Sequence, residues 1–225
     1  MKSELRPLFP EEITLLEKQG CTCENWNLLE VAVNFNPENI RNTHFSGIVQ
    51  LGVFEKEITL YGGLKKSTGI SNATIFNCSI GNNVYINNIR SYIANYSIED
   101  NVTIENVDII AVDGESSFGN GLEIFLLNEA GGREIPIYNH LCAHLTYILT
   151  FYRHRPDVIS KIKKMINDYV LSVTSSKGLI ASNVTIVNTR TIKNVIIGKN
   201  TLIEDAERLV EGSINSSDID PVYIR

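Results

Sequence analysis

Aliphatic residues return about every six positions through much of this chain, separated by Asn, Gly, Asp or Ser. The pattern is strictest where residues 75–92 and 93–110 repeat each other at a period of eighteen. IFNCSIGNNVYINNI (75–89) aligns with IANYSIEDNVTIENV (93–107), which sets Ile75 against Ile93, Ile80 against Ile98, Val84 against Val102, Ile86 against Ile104 and Ile89 against Val107. Asn77, Asn83 and Asn88 fall opposite Asn95, Asn101 and Asn106, and Ser79 opposite Ser97. A third copy, IKNVIIGKNTLIEDA (192–206), keeps the frame with Ile192, Ile197, Thr201, Ile203 and Ala206. Six residues are too few for a helix but enough for a brief strand and a corner. Asn and Gly accept left-handed backbone at such corners more cheaply than other residues. Three sides per turn predict a left-handed parallel β-helix, a hexapeptide-repeat solenoid whose turns rise by one strand spacing, roughly 4.8 Å. Stacked Ile and Val would then form an interior that no single turn buries alone.

The same reading divides the chain. Residues 1–39 are expected to form an N-terminal helical cap. Pro10, EEITLLEKQ and Gly20 give a short helix with Pro at its start and Gly beyond its end. CENWNLLEV (23–31) and Pro37 predict further helical turns, with Trp26 anchoring the cap. Residues 40–112 are expected to be coils, less regular through 58–66 and strict from Ile70. Residues 113–178 are an insertion. Its first half is rich in turns (FGNG, EAGGRE), and its second half is a helical hairpin. Leu141, Leu145, Ile148, Leu149 and Tyr152 form one apolar stripe before Pro156, and Val158, Ile162, Ile166, Tyr169 and Val173 form another. Coils resume over 179–225, where IASNVTI (180–186) echoes IEDNVTI (98–104). The regular pattern fades near Ala206, and PVYIR (221–225) reads as the opening of another coil, so the chain is expected to be a fragment.

Composition narrows the classes. With 225 residues, 43% hydrophobic and 20% charged, the chain can bury a substantial core. A formal net charge of −6 argues against a nucleic-acid partner. No apolar run reaches the length of a membrane span, and no signal-peptide core opens the chain, so no membrane partner is expected. Cys21, Cys23, Cys78 and Cys142 show no disulfide framework; reduced thiols and a cytoplasmic location are expected. Six Asn-x-Ser/Thr triplets, among them Asn72-Ala-Thr and Asn101-Val-Thr, follow from Asn at corners and hydroxyls on strands.

The coil segments resemble the hexapeptide-repeat acyltransferases. That resemblance implies a homo-oligomer, a trimer above all, with sites between neighbouring chains and a histidine as general base. Closer likeness lies in ITLLEKQG (13–20), VDGESSFGNGLEIFLLNEAGGREIPI (112–137) and YILTFYRHRPDVI (147–159). These resemble an uncharacterised bacterial family of long hexapeptide-repeat proteins, a domain of unknown function, and bring no activity with them.

On that footing His144 is the first candidate base, since an imidazole titrates near neutrality. His140 stands one helical turn earlier; the H-x3-H spacing could hold a metal, but the pair lacks an accompanying glutamate, and no metal site is assigned. Both histidines also read as plain surface or packing residues. Arg153, His154 and Arg155 suit a phosphate or carboxylate, and equally suit a helix C-terminus. Glu129 and Arg133 either line a polar pocket or form a local ion pair. GGLKKSTG (62–69) departs from P-loop spacing and reads as a basic turn, and His44 as structural. The leading expectation is a transferase acting on a small-molecule substrate, a sugar or nucleotide-sugar, with acyl transfer from acyl-CoA as one form. The alternative is a non-catalytic scaffold that binds protein or polysaccharide.

Overall fold

Asn77, Asn83, Asn88, Asn95, Asn101 and Asn106 all take left-handed backbone, with φ between 51° and 60°, in the computed structural model, which describes residues 4–126, 132 and 134–225. Their side chains link neighbouring corners into ladders. Asn88 Nδ2 donates to Asn106 Oδ1 at 3.1 Å, and Asn106 Nδ2 donates to Asn188 Oδ1 at 2.8 Å. A short amide therefore serves twice, by tolerating the backbone and by bridging to the next strand layer.

Between corners the strands pair in register. Tyr85–Ala94 lies between Gly69–Phe76 and Thr103–Ala111, with Ile86 opposite Ile70 and Ile104. Ile93 sits opposite Ile75 and Ile110, and Ile98 opposite Ile80 and Ile180. Inward positions such as Ile86, Ile93 and Ile104 have no solvent exposure. Each contributes about 1.5–3 kcal/mol of transfer free energy. One buried cluster runs from Leu16 to Ile203.

The chain is mainly β, with 42% strand and 20% helix, but the expected left-handed parallel β-helix is corrected by the sheet itself. Among the described residues the strands form one mixed 16-stranded sheet with two further antiparallel pairs beside it. Leu5–Pro7 runs antiparallel to Leu29–Ala32, which breaks the all-parallel rule at that edge. Nor is the period constant. Ile86 pairs 16 residues back with Ile70 and 18 forward with Ile104, whereas Phe45 pairs with Ile75, 30 residues on. The sheet's path turns at Thr191–Ile197, which pairs with Thr103–Ala111 through Ile192 and with Gly178–Ile180 through Ile197. Register is set corner by corner, through asparagine ladders and inward aliphatics, so the eighteen-residue period of 75–110 is local.

The first helix, α1 (Pro10–Lys18), has Pro at its first turn, and the Glu12 carboxylate accepts the Phe9 N–H at 2.8 Å. The Arg6 guanidinium grips the same carboxylate with two hydrogen bonds, 2.8 and 2.7 Å. Leu16 buries the helix against the main core. Trp26–Leu28 and Pro37–Asn39 are single helical turns, and Leu29–Ala32 continues as strand.

Two more helices, α2 (Ala143–Phe151) and α3 (Pro156–Val173), pack Leu149 and Ile166 against Ile135 in a separate small core. The stretch expected to be turns holds an antiparallel pair, Glu123–Phe125 with Glu134–Pro136. Arg208–Ile214, beyond the expected end of the pattern, pairs along Thr191–Ile197. There Glu211 replaces asparagine at a left-handed corner (φ 51°), with its carboxylate held by Asn194 at 2.5 Å and Ser116 at 3.1 Å. No described helix is long and apolar enough to cross a membrane.

Candidate functional site

The basic turn GGLKKSTG folds into a hairpin of Glu57–Thr59 and Lys65–Ser67, and this hairpin walls a groove of about 810 Å³. Gly62 and Gly63 make its tip with φ of 77° and 84°, a conformation that excludes most side chains. The opposite wall is the outward face of the sheet. Along Thr103–Ala111 alternate residues point apart, so Val102 and Ile104 are buried while Thr103 and Glu105 line the groove. Thr185 pairs with Thr103, Leu202 with Thr185, and Tyr223 with Leu202, giving a column of four adjacent strands. Asn183 and Asn200 join it from the corners, linked to each other at 3.1 Å.

Glu105 is the one carboxylate on the groove's lining among the described residues, and no Lys, Arg or His lines it there. A ladder ends on this residue. Ser71 Oγ donates to Asn87 Oδ1 at 2.9 Å, and Asn87 Nδ2 donates to Glu105 Oε1 at 3.1 Å. The Tyr85 hydroxyl donates to the same Oε1 at 3.2 Å. Burial, with the Glu105 charge adding to it, pushes the Tyr85 phenol up to about 12, so it stays a donor across the neutral range. The next residue in register is Val187, which has nothing polar to continue the ladder.

A second groove of about 490 Å³ is lined by Gln50, Ser79, Ser97 and Ser182, with Glu99 and Asp100. Each of its acids accepts one backbone N–H from the fold. Asp100 accepts the Asn82 N–H at 2.6 Å, and Glu99 accepts the Ser182 N–H at 2.9 Å.

Of the candidate site residues the structure describes, His140, His144, Arg153, His154 and Arg155, none lines either groove. His144 is exposed on α2. His140 precedes that helix and packs edge-on against Tyr169, with ring centres 5.1 Å apart. Arg153 clamps the neighbouring antiparallel pair, donating to the carbonyls of Gly132 and Glu134. His154 is exposed and stacks on Tyr152 at 5.6 Å, and Arg155 lies 3.7 Å from Asp157 at the start of α3. Glu129 and Arg133 lie outside the described residues. His44 accepts or donates a 2.8 Å hydrogen bond with Thr22 on an adjacent strand. No group of His, Cys, Asp and Glu able to hold a metal forms among the described residues.

The groove residues escaped the sequence reading because their signal is weak. Thr103 and Thr185 occupy matching places in the two NVTI segments, and Glu105 stands out only as an acid on an outward strand position.

No solved structure is detectably similar to the chain. An uncharacterized protein of Treponema pallidum (strain Nichols) is 28% identical over 230 residues, covering 97% of this chain and 32% of that protein. The chain thus spans about a third of that relative's length. Neither this likeness nor the family match shows membership of the hexapeptide-repeat acyltransferase-like superfamily. Residues 5–225 match one family throughout, and the chain belongs to it: DUF4954, a domain of unknown function.

Proposed function

We propose that this chain is a binding scaffold that holds a phosphate-free saccharide in the groove between the 57–67 hairpin and the sheet. The observation that carries the reading is the lining. Thr103, Thr185, Asn183 and Asn200 offer hydroxyl and amide partners, beside the apolar Leu202 and the exposed ring of Tyr223. Sugars are bound by this combination of polar edges and an aromatic face. The volume, about 810 Å³, falls in the range typical of ligand sites. Paired threonines repeat at one strand spacing, roughly 4.8 Å, comparable with the width of a pyranose ring.

Diphosphate ligands fit less well. Acyl-CoA and nucleotide-sugars call for Arg, Lys or a helix N-terminus at the phosphates, and the groove's described lining offers none of these. A transferase using His144 lacks support of the same kind, since that imidazole is exposed and has no acidic partner among the described residues. A cytoplasmic location belongs to the same proposal, supported by four free cysteines. Trimeric assembly is proposed from the repeat resemblance alone, and sedimentation equilibrium tests it.

The experiment for binding is calorimetric titration with a panel of oligosaccharides, acetyl-CoA and a uridine-diphosphate sugar. Saccharide binding that falls at least tenfold in Tyr223→Ala and in Thr185→Val supports the reading. Binding of no saccharide, or acetyl-CoA turnover abolished by His144→Ala, overturns it.

A further inference from the structure

Glu105 is anchored through one oxygen and open at the other. Both side-chain donors that reach it, Tyr85 Oη and Asn87 Nδ2, bond to Oε1, and Oε2 has no partner among the described residues. No cation pairs with the residue there, although the next carboxylate along the same column, Glu204, is paired with Arg225 at 3.0 Å. The neighbour in register between them is the buried Val187. A carboxylate fixed by two donors, beside an apolar neighbour and inside a groove whose described lining has no basic residue, is an incomplete ion pair. Such a group gains most from a cation brought by the ligand, because a partly desolvated charge pair is screened less than an exposed one. A metal ion needs several oxygen ligands, and Glu105 is alone. An ammonium group needs one charged acceptor and a few neutral ones, which Thr103 and the adjacent hydroxyls can supply.

Resting on the saccharide reading above, we infer that the groove selects an unacetylated amino sugar, with Glu105 Oε2 as the counter-ion of its ammonium group and Thr103 beside it. Tyr85 and Asn87 are positioning residues that hold the carboxylate. The exposed Glu115, outside the groove, serves as a charge control.

The test is calorimetric titration of the whole chain with three tetrasaccharides: glucosamine, N-acetylglucosamine and glucose. The glucosamine oligomer should bind at least tenfold more tightly than the other two. Glu105→Gln, which keeps the Oε1 acceptor and the side-chain volume, should erase that preference. Glu115→Gln should preserve the preference. Tyr85→Phe should weaken glucosamine binding selectively, and an unchanged melting temperature separates this from misfolding. Equal affinity for all three sugars overturns the amino-sugar inference while the saccharide reading stands. A preference that survives Glu105→Gln also overturns it, since general attraction to an acidic protein would then be its source. Binding of none of the three overturns the amino-sugar inference, and the saccharide reading falls with it if the wider panel is also silent.

Discussion

The hydroxyl of Tyr96 bonds both backbone groups of Val195, 99 positions further along the chain. It donates to the carbonyl at 2.8 Å and accepts from the N–H at 3.2 Å. The ring is fully buried, and burial drives its phenol well above the ordinary value. One side chain thus ties the strands before the two-helix segment to those after it. Removing only the oxygen in Tyr96→Phe leaves a buried C=O and N–H unmet, at a cost of about 1–3 kcal/mol. For a chain of this size that lowers the melting temperature by about 2–4 °C per kcal/mol, which scanning calorimetry reads. A change within error would mean that water or a shifted backbone replaces the phenol.

The same ring explains a glycine. A Cβ at Gly178 would lie 2.4 Å from the Tyr96 ring, closer than real contacts allow. Gly178→Ala should therefore cost about 1–3 kcal/mol by overpacking. In a Tyr96→Leu background the penalty should shrink, because the obstructing ring atoms are gone. A double-mutant cycle by denaturant melts gives the coupling directly.

Corners and interior should respond differently to substitution. Ile98 is 2% exposed between Ile80 and Ile180, so Ile98→Asn loses apolar burial and strands an amide, about 2–5 kcal/mol. Asn101 is exposed but has φ of 58°, where alanine is strained by about 1–2 kcal/mol. Asn101→Gly should cost less than Asn101→Ala, since glycine takes that conformation freely. Equal losses for alanine and glycine in urea melts would show that the amide's contacts, and not its backbone, hold the corner.

These residues also mark how far the sequence could be read. Pairings such as Ile80 with Ile98 and the asparagine corners were legible, because each depends on neighbours close in sequence. Sheet architecture was not. The antiparallel pairing of Leu5–Pro7, the 30-residue step from Phe45 to Ile75 and the turn at Thr191–Ile197 depend on contacts that no local period encodes. Arg208–Ile214 lies within the expected coils but past their regular pattern, because Glu211 takes a corner without the expected amide, relying on Asn194 and Ser116 from elsewhere. The groove was illegible for a related reason. Its hairpin wall reads as a basic turn, and Glu105 acquires its setting only when Tyr85 and Asn87 come alongside. Histidines and arginines drew notice by residue type, while the structure places those it describes outside both grooves.

Thiol chemistry offers an independent check on burial. Cys78 is fully buried, and desolvation pushes its thiol up to about 11, while Cys142 is exposed. Thiolate is the reactive form. In the native protein a maleimide should label Cys142 first and Cys23 more slowly. Cys21 and Cys78 should react only on unfolding. Mass spectrometry that finds Cys78 modified early would contradict its place in the core.

The fork between Arg6 and Glu12 should make stability pH-dependent in a defined direction. The Arg6 guanidinium, with the Phe9 N–H assisting, holds the Glu12 carboxyl below its ordinary value against the opposing effect of burial. A carboxyl with a depressed folded-state value favours the folded state when ionised. Its contribution is therefore complete above the unfolded value of about 4.3 and is lost as pH falls through the lowered folded value. Glu12→Gln should cost about 1 kcal/mol at pH 7, in keeping with a partly exposed but two-pronged pair. That difference should narrow as pH falls through the lowered folded value, because the wild-type carboxyl is then protonated as well. Urea midpoints for the two proteins across this range supply the comparison. A gap that stays constant with pH would show that ionisation of Glu12 is not its source, and would remove the ion pair from the account of how α1 is fastened.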